Sequence, residues 1–251
     1  MVPDRITALF FELFSGLPRQ GPGTTVNTQR ALGFVPDIGP RTRVLDIGCG
    51  TGAQTLVLAA STPAHIVAID THPPFVDALN REARRLGITV RLQARVADMR
   101  SLDFADGSFD LIWCEGAIYN AGVERGLRDW HRLLSRNGHV ALTEVCWRKP
   151  SPPAECVAFW NREYPAIRST SALLEAVEGC GYTIVSHFPL PASAWWDDYY
   201  RPLQDNINAF RERYRNAPDA QELAGQCQHE IDIWHAHSEF YGYEFLVLQA
   251  R

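Results

Sequence analysis

The stretch Val44-Leu45-Asp46-Ile47-Gly48-Cys49-Gly50-Thr51-Gly52 decides how the chain folds. An apolar run carries an acid near its end, three glycines follow at alternate positions, and residues 53–60 have the composition of a helix. This order predicts a strand, a tight turn and a helix start, the arrangement of a nucleotide-binding βα unit. Glycines let the backbone turn sharply and approach a ligand closely, and free N–H groups at the helix start can hold a polar ligand.

The same glycines also satisfy the dinucleotide fingerprint G-x-G-x-x-G/A, with Ala53 in the last place. Asp46 argues against a dinucleotide, because a pyrophosphate would meet a like charge at the carboxyl end of the strand, at a cost of roughly 1–4 kcal/mol. A ligand with an ammonium and a sulfonium group would be attracted instead, and S-adenosylmethionine (SAM) is such a ligand. The alternative without a ligand is a glycine turn whose acid only caps the helix.

Four stretches of the chain resemble the class I SAM-dependent methyltransferases. They are VLDIGCGTG (44–52), IVAIDTH (66–72), ARVADMRSLDFADGSFDLIWCEGAIYN (94–120) and LRDWHRLLSRNGHVALTEV (127–145), in the order that the family has them. The chain looks like a member of a bacterial subgroup of these methyltransferases that acts on small molecules. The resemblance implies a three-layer α/β fold, a doubly wound, Rossmann-like sheet of seven strands.

One methyltransferase domain is predicted over residues 1–251. An N-terminal helical cover (1–41) precedes a SAM-binding core (42–148), and the C-terminal half of the sheet (149–251) carries an insertion on the substrate side at about residues 191–240. The last strand follows this insertion, and the resemblance implies that it is antiparallel to its neighbours.

A second acid stands where a ribose would bind. Asp70 ends the next apolar run, 22 residues after Gly48, which is the spacing at which an acid accepts hydrogen bonds from ribose hydroxyls; it could also cap the following helix. The resemblance adds Asp98 for the adenine amino group and the backbone N–H of the next residue for the ring. The predicted cofactor contacts are Asp46, Gly48, Cys49, Gly50, Gly52, Asp70, Thr71, Asp98, Met99 and Glu115.

Glu115 and Tyr119 follow the apolar run 109–114, at the edge where open α/β sheets bind ligands. We predict both as catalytic residues, with Glu115 accepting a proton or pairing with a cationic substrate; a structural carboxylate is the alternative. Aromatic rings near acids suit a flat or cationic substrate, although they could instead anchor the insertion or form a dimer contact. The predicted substrate contacts are Tyr119, Trp147, Trp195, Trp196, Tyr199 and Tyr200.

Composition limits the remaining possibilities. A formal net charge of −5 disfavours a nucleic-acid partner. We expect no membrane-spanning helix, because no apolar run is long enough, and no signal peptide, because a basic n-region is missing. Six cysteines without a CxxC motif indicate a reducing, cytoplasmic location. The spacing of His229, His235 and His237 fits zinc poorly, so no metal is expected.

The sequence therefore predicts SAM-dependent methyl transfer to an oxygen or nitrogen atom of a small molecule, by in-line displacement, in a protein that could form a homodimer. Two other classes stay open. One is a SAM-binding protein without turnover, since a fold does not prove chemistry. The other is an NAD(P)-dependent oxidoreductase, against which Asp46 and the lack of an obvious Tyr-x-x-x-Lys pair count.

Overall fold

The computed structural model describes residues 4–251, in which a central β-sheet lies between two layers of helices. The strands are β1 (Arg43–Ile47), β2 (His65–Asp70), β3 (Leu92–Val96), β4 (Phe109–Cys114), β5 (Leu134–Trp147), β6 (Arg168–Ser169), β7 (Tyr182–Pro189) and β8 (Tyr241–Ala250). The helices are α1 (Arg5–Phe14), α2 (Thr25–Leu32), α3 (Ala53–Ser61), α4 (Pro73–Arg85), α5 (Val123–His131), α6 (Ala154–Glu163), α7 (Thr170–Glu178), α8 (Ser193–Trp195), α9 (Arg201–Arg213) and α10 (Pro218–His237).

The order of the strands in the sheet is β3-β2-β1-β4-β5-β8-β7, and the two-residue β6 pairs with β5 outside this path. The first five strands are parallel, and the direction of winding reverses between β1 and β4. β8 is inserted between β5 and β7 and runs antiparallel to both. This topology confirms the predicted fold class, and β6 is one short strand more than the seven expected.

Two strand starts differ from the sequence prediction, in which alternating residues indicate one strand at 89–95 and Asn137-Gly138 precedes another at 139–145. β3 begins at Leu92 rather than Thr89, because the N–H groups of Arg91 and Leu92 both donate to the carbonyl of Ile88 in a turn. β5 begins at Leu134, before the expected Asn-Gly turn, because Leu134 already pairs with Phe109 of β4. A local turn therefore shortens β3, and pairing with β4 extends β5.

The sheet separates two apolar clusters. One face packs against α1 to α4, α6 and α8 to α10, whereas the other packs against α5 and α7. Alternation along β4 illustrates the division, since Trp113 belongs to the first cluster and Ile112 and Cys114 to the second. Both faces are thus covered, as parallel central strands require. No helix within residues 4–251 is long and apolar enough to cross a membrane.

A buried carboxyl group ties β1 to the helix that follows the glycine turn. Asp46 is fully buried, and it accepts hydrogen bonds from Thr55 Oγ1 and, at 3.3 Å, from Gln54 Nε2, both in α3. Burial raises the pKa of Asp46 to about 7, against the opposing effect of these two hydrogen bonds. The folded chain therefore binds a proton at Asp46 more tightly than the unfolded chain does.

This shift predicts how stability depends on pH. A carboxyl whose folded-state pKa lies above its unfolded value stabilises the fold while it is protonated, and this contribution is lost as the pH rises from about 4 to about 7. Asp46→Asn cannot titrate, so the wild type should lose on the order of 1–4 kcal/mol relative to the variant across this range. Urea denaturation of both proteins at the two pH values measures the difference; parallel pH curves would contradict the assignment.

Candidate functional site

A cavity of about 410 Å³ opens at the carboxyl ends of β1, β2 and β4. The winding of the sheet reverses between β1 and β4, and such a reversal point is where open α/β sheets bind their ligands. The sheet side of its wall includes Gly48–Gly50, Asp70–Thr71, Asp98–Arg100, Glu115–Ala117 and Tyr119–Asn120.

The N-terminal segment covers this cavity. Phe10, Phe11 and Phe14 of α1 and residues 19–22 of the following loop contribute to its wall. Phe11 stacks on His72, with ring centroids 3.6 Å apart. Leu9 and Leu13 of the same helix are buried in the core. One side of α1 therefore covers the cavity and another side packs into the core.

The backbone N–H groups of the glycine turn are already bonded within the protein. Gly48 and Cys49 donate to the carbonyl of Ile69, Gly50 donates to the Asp70 carboxylate at 2.9 Å, and Thr51 donates to Gln20 Oε1 at 3.0 Å. The N–H groups of residues 48–51 are therefore not free for a ligand, whereas the prediction concerns the N–H groups at the start of α3 and stays a prediction. A ligand must either displace Gln20 or be recognised by other groups of the wall.

Glycine is required in this turn by the protein itself. Gly48 and Gly50 have φ angles of +72° and +53°, which favour glycine. An added Cβ at Gly48 would lie 2.4 Å from Cβ of Ala117, and one at Gly50 would lie 2.6 Å from Gln20 Oε1. Gly52 faces Leu79 instead of the cavity. The turn must therefore stay free of side chains even before a ligand is considered.

The predicted direct contact between Asp46 and a ligand does not match its position. Asp46 is buried below the wall, whereas its partner Gln54 lines the cavity. Gln54 Nε2 also approaches the carbonyl of Gly48, at 3.4 Å. The strand register turns the Asp46 side chain toward α3, so its charge reaches the cavity only through the Gln54 amide.

Asp70 and Asp98 line the cavity in different electrostatic environments. Hydrogen bonds from Arg100 lower the pKa of Asp98, and its carboxylate lies 2.7 Å from the Arg100 guanidinium. The Asp70 oxygens accept the N–H groups of Gly50 and His72, each at 2.9 Å. Asp70 forms no ion pair within the described part of the chain. It is therefore the wall carboxylate whose charge is not balanced by a neighbouring cation.

Both oxygens of Glu115 have partners. Arg19 Nη1 lies 2.9 Å from Oε2, and Thr28 Oγ1 and Trp113 Nε1 donate to Oε1 at 2.7 and 2.9 Å. Arg19 and Glu115 are both buried, so this ion pair joins the N-terminal cover to the end of β4. The geometry matches the structural alternative for Glu115, and its role as a proton acceptor stays a prediction.

The remaining predicted residues divide into two groups. Cys49, Thr71, Met99 and Tyr119 line the cavity, whereas the five predicted aromatic residues of the C-terminal part do not. Trp147 lines a second, shallower groove beside Ser169 to Ser171. The others belong to or pack against the core cluster: Trp195, Trp196, Tyr199 and Tyr200.

Sequence reasoning missed Arg19 and Gln20. Both lie in a glycine- and proline-rich stretch that we interpreted as a connecting loop. The available signal was the pair of long polar side chains beside Gly21, Pro22 and Gly23. Nothing in the local sequence indicates that this loop crosses the carboxyl edge of the sheet, because that placement depends on how α1 and α2 pack.

Comparison with known proteins agrees with this geometry. A family model described as a methyltransferase domain matches residues 44–138. The ubiquinone/menaquinone biosynthesis C-methyltransferase UbiE of Geotalea uraniireducens is 35% identical over 106 residues, which cover 41% of this chain and 45% of that protein. The chain thus spans less than half the length of this curated relative.

Solved structures share the fold over nearly the whole chain. A SAM-dependent methyltransferase from Thiobacillus denitrificans in complex with S-adenosyl-L-homocysteine has a TM-score of 0.84 and 22% identity, with 100% of each chain covered. The [4+2]-cyclase SpnF has a TM-score of 0.76 and 21% identity, with 98% of this chain and 92% of that chain covered. Identities this low show a common fold.

The matched domain contributes most of the sheet side of the cavity, including the glycine turn, Asp70 and Asp98. Residues 44–138 therefore match a methyltransferase domain, and the whole chain shares the fold of a SAM-dependent methyltransferase, in agreement with the resemblance predicted from the sequence.

Proposed function

We propose that the protein transfers the methyl group of SAM to an oxygen or nitrogen atom of a small molecule. The observation that carries this proposal is the unbalanced Asp70 carboxylate in a cavity whose other charged pairs, Asp98–Arg100 and Arg19–Glu115, are neutral overall. Such a cavity attracts a cationic ligand and repels a pyrophosphate. A ligand with sulfonium and ammonium groups fits this charge distribution.

We infer partners in the wall for the ribose and the adenine of SAM. We infer that Asp70 accepts hydrogen bonds from the ribose hydroxyls, since each carboxylate oxygen can accept more than one. Asp98 and the backbone of Met99 would bind the adenine. The glycine turn with Thr71 and Cys49 would border the remainder of the molecule, and the aromatic rings of α1 would exclude water.

The chemistry asks little of the protein beyond positioning. SAM, when bound, supplies an electrophilic methyl group. The chain must hold the acceptor in line with it, an effect worth up to roughly 7–11 kcal/mol. We infer that Tyr119 borders the acceptor, because it lies on the cavity wall. Glu115 could accept a proton only if it separated from Arg19.

The domain organisation, the cellular location and the partners of the protein are also inferred. We propose one methyltransferase domain made of the cover (1–41), the SAM-binding core (42–148) and the C-terminal part (149–251). A cytoplasmic location is supported by six free, buried cysteines, and the net charge of −5 disfavours nucleic acid. A homodimer stays a proposal, and it loses the support of Trp195, Tyr199 and Tyr200, which are buried within one chain.

A second candidate function is SAM binding without methyl transfer. The similarity to a structure named as a [4+2]-cyclase favours keeping it, because one fold can host different chemistry. Turnover, measured separately from binding, discriminates between the two candidates.

Asp70→Ala should weaken SAM binding by about tenfold or more, since it removes the unbalanced carboxylate. Asp70→Asn keeps a hydrogen-bond acceptor but no charge, and it should lie between the wild type and the alanine variant. Isothermal titration with SAM measures all three proteins. The matched control is Asp205→Ala, which removes an exposed carboxylate from α9 and should bind as the wild type does. Normal affinity in a folded Asp70→Ala protein would refute the assignment.

Turnover should appear when the protein is mixed with SAM and a panel of small-molecule acceptors. We expect release of S-adenosylhomocysteine together with a product heavier by one methylene, measured by mass spectrometry. Gly50→Val should abolish both, because its side chain would collide with Gln20 and move the turn. Gly39→Val, where an added Cβ meets no atom within 4 Å, is the control. SAM binding without turnover on any acceptor would support the second candidate instead.

A further inference from the structure

Tyr119 lies on the cavity wall and contacts a group of aromatic rings behind it. Its side chain keeps 45% of its surface accessible, although burial raises the pKa of its hydroxyl, so the ring faces an internal recess. The Tyr164 ring meets Tyr119 edge-on, with centroids 6.0 Å apart. Tyr243 Cε2 lies 3.4 Å from the position that a Cβ on Gly116 would occupy. We name the surroundings of Tyr119, Tyr164 and Tyr243 the tyrosine recess.

Two carboxyl groups lie close to these rings. After burial, the charges of Glu230 and Glu144 raise the pKa of Tyr119, and both also raise the pKa of Tyr243. Glu144 of β5 is 3% exposed, and its Oε2 has no hydrogen-bond partner among residues 4–251. Glu230 of α10 accepts the Tyr200 hydroxyl at 2.8 Å. Neither carboxylate forms an ion pair in the described part of the chain.

Such carboxylates need a positive partner. An ionised carboxylate in a buried site costs several kcal/mol unless a cation or hydrogen bonds compensate it. Burial accordingly raises the pKa of Glu144 to about 7, against the opposing effect of a hydrogen bond from Tyr164. Aromatic rings around the site add favourable cation–π contacts with an ammonium group. The basic residue whose charge acts on Glu144, Arg168, is already paired with Glu124. A ligand ammonium would supply the missing charge.

Three unpartnered donors lie next to the same rings. Trp160 Nε1, Trp195 Nε1 and the Tyr241 hydroxyl are buried and have no hydrogen-bond partner among the described residues. Tyr241 joins them, with its ring centroid 4.9 Å from Trp160 and 5.9 Å from Trp195, and Trp195 meets Tyr243 at 5.0 Å. Unsatisfied buried donors are rare in native proteins. Oxygen atoms at the far end of a ligand would satisfy them.

We propose that the methyl acceptor is an amine that also carries an oxygen group, bound in the tyrosine recess with its ammonium toward Glu144 and Glu230 and its oxygen toward Trp160, Trp195 and Tyr241. This inference rests on the proposed function, and it selects a nitrogen acceptor from the two that the function leaves open.

The methyl transfer balances with these groups. The ammonium first gives a proton to the Glu144 or Glu230 carboxylate, which leaves a lone pair on nitrogen. This lone pair forms the new bond to the methyl carbon while the electron pair of the carbon–sulfur bond stays on sulfur. The positive charge that leaves sulfur appears on the methylated nitrogen, and the proton remains on the carboxyl group.

Tyramine and tyrosol test this proposal, because they differ only in an ammonium or a hydroxyl at one end. Titrations at about pH 8, without SAM, keep tyramine protonated and Glu144 ionised. We expect the wild type to bind tyramine about tenfold more tightly than tyrosol. Glu144→Gln and Glu230→Gln should each abolish this preference. Trp195→Phe, which loses one N–H donor, should weaken both ligands. Glu222→Gln, an exposed change on α10, should alter neither.

Equal binding of tyramine and tyrosol would overturn the proposal, as would an undiminished preference in both glutamine variants. Circular dichroism identifies any variant that fails to fold, and Glu230→Gln, which can still accept the Tyr200 hydroxyl, then decides alone. Separate titrations with SAM keep this test apart from the proposed function. Lost amine selectivity with intact SAM binding and turnover refutes only the recess, whereas absent SAM binding refutes the function.

Discussion

The arrangement of the site depends on how the glycine turn is fixed between β1 and α3. Asp46 holds the turn from below through Thr55 and Gln54, and Asp70 holds it from the side through the N–H of Gly50. Positive φ angles and close neighbours exclude side chains at Gly48 and Gly50. Because one of these bonds uses Asp70, this carboxylate both supports the turn and carries the unbalanced charge of the cavity wall.

The N-terminal cover completes the site by long-range contacts. Arg19 reaches Glu115 at the end of β4, and Gln20 reaches Thr51 in the turn. The Arg19–Glu115 pair is buried. Removing one partner would leave an uncompensated charge, which typically lowers the stability of a fold by about 3–5 kcal/mol. The cover is thereby held over the cavity, and the charge of Glu115 is cancelled. Asp70 therefore gives the cavity a negative electrostatic potential.

The C-terminal part gives the molecule its second polar region. β8 places Tyr241 and Tyr243 at the end of the sheet beside Glu144 of β5, and α10 brings Glu230 toward the same tyrosines. Among residues 4–251, neither carboxylate forms an ion pair. The indole N–H groups of Trp160 and Trp195 and the Tyr241 hydroxyl have no hydrogen-bond partner there. These groups all lie outside residues 44–138, the part of the chain that matches the methyltransferase domain.

The sequence by itself determined the fold class and the match to a methyltransferase domain, because strand periodicity, the glycine turn and the spacing of Asp70 are local features. It also indicated which strand ends carry acids. Only the tertiary structure decided the environment of each acid: Asp46 faces α3, Glu115 meets Arg19, and Asp70 stays unbalanced. Burial and ion pairing join residues far apart in the chain, as Arg19 and Glu115 are, so no local pattern could predict them. For the same reason composition predicts the aromatic cluster at 195–200 as substrate-binding, whereas packing places its rings in or against the core, and only Trp195 of the cluster has a part in the proposed tyrosine recess.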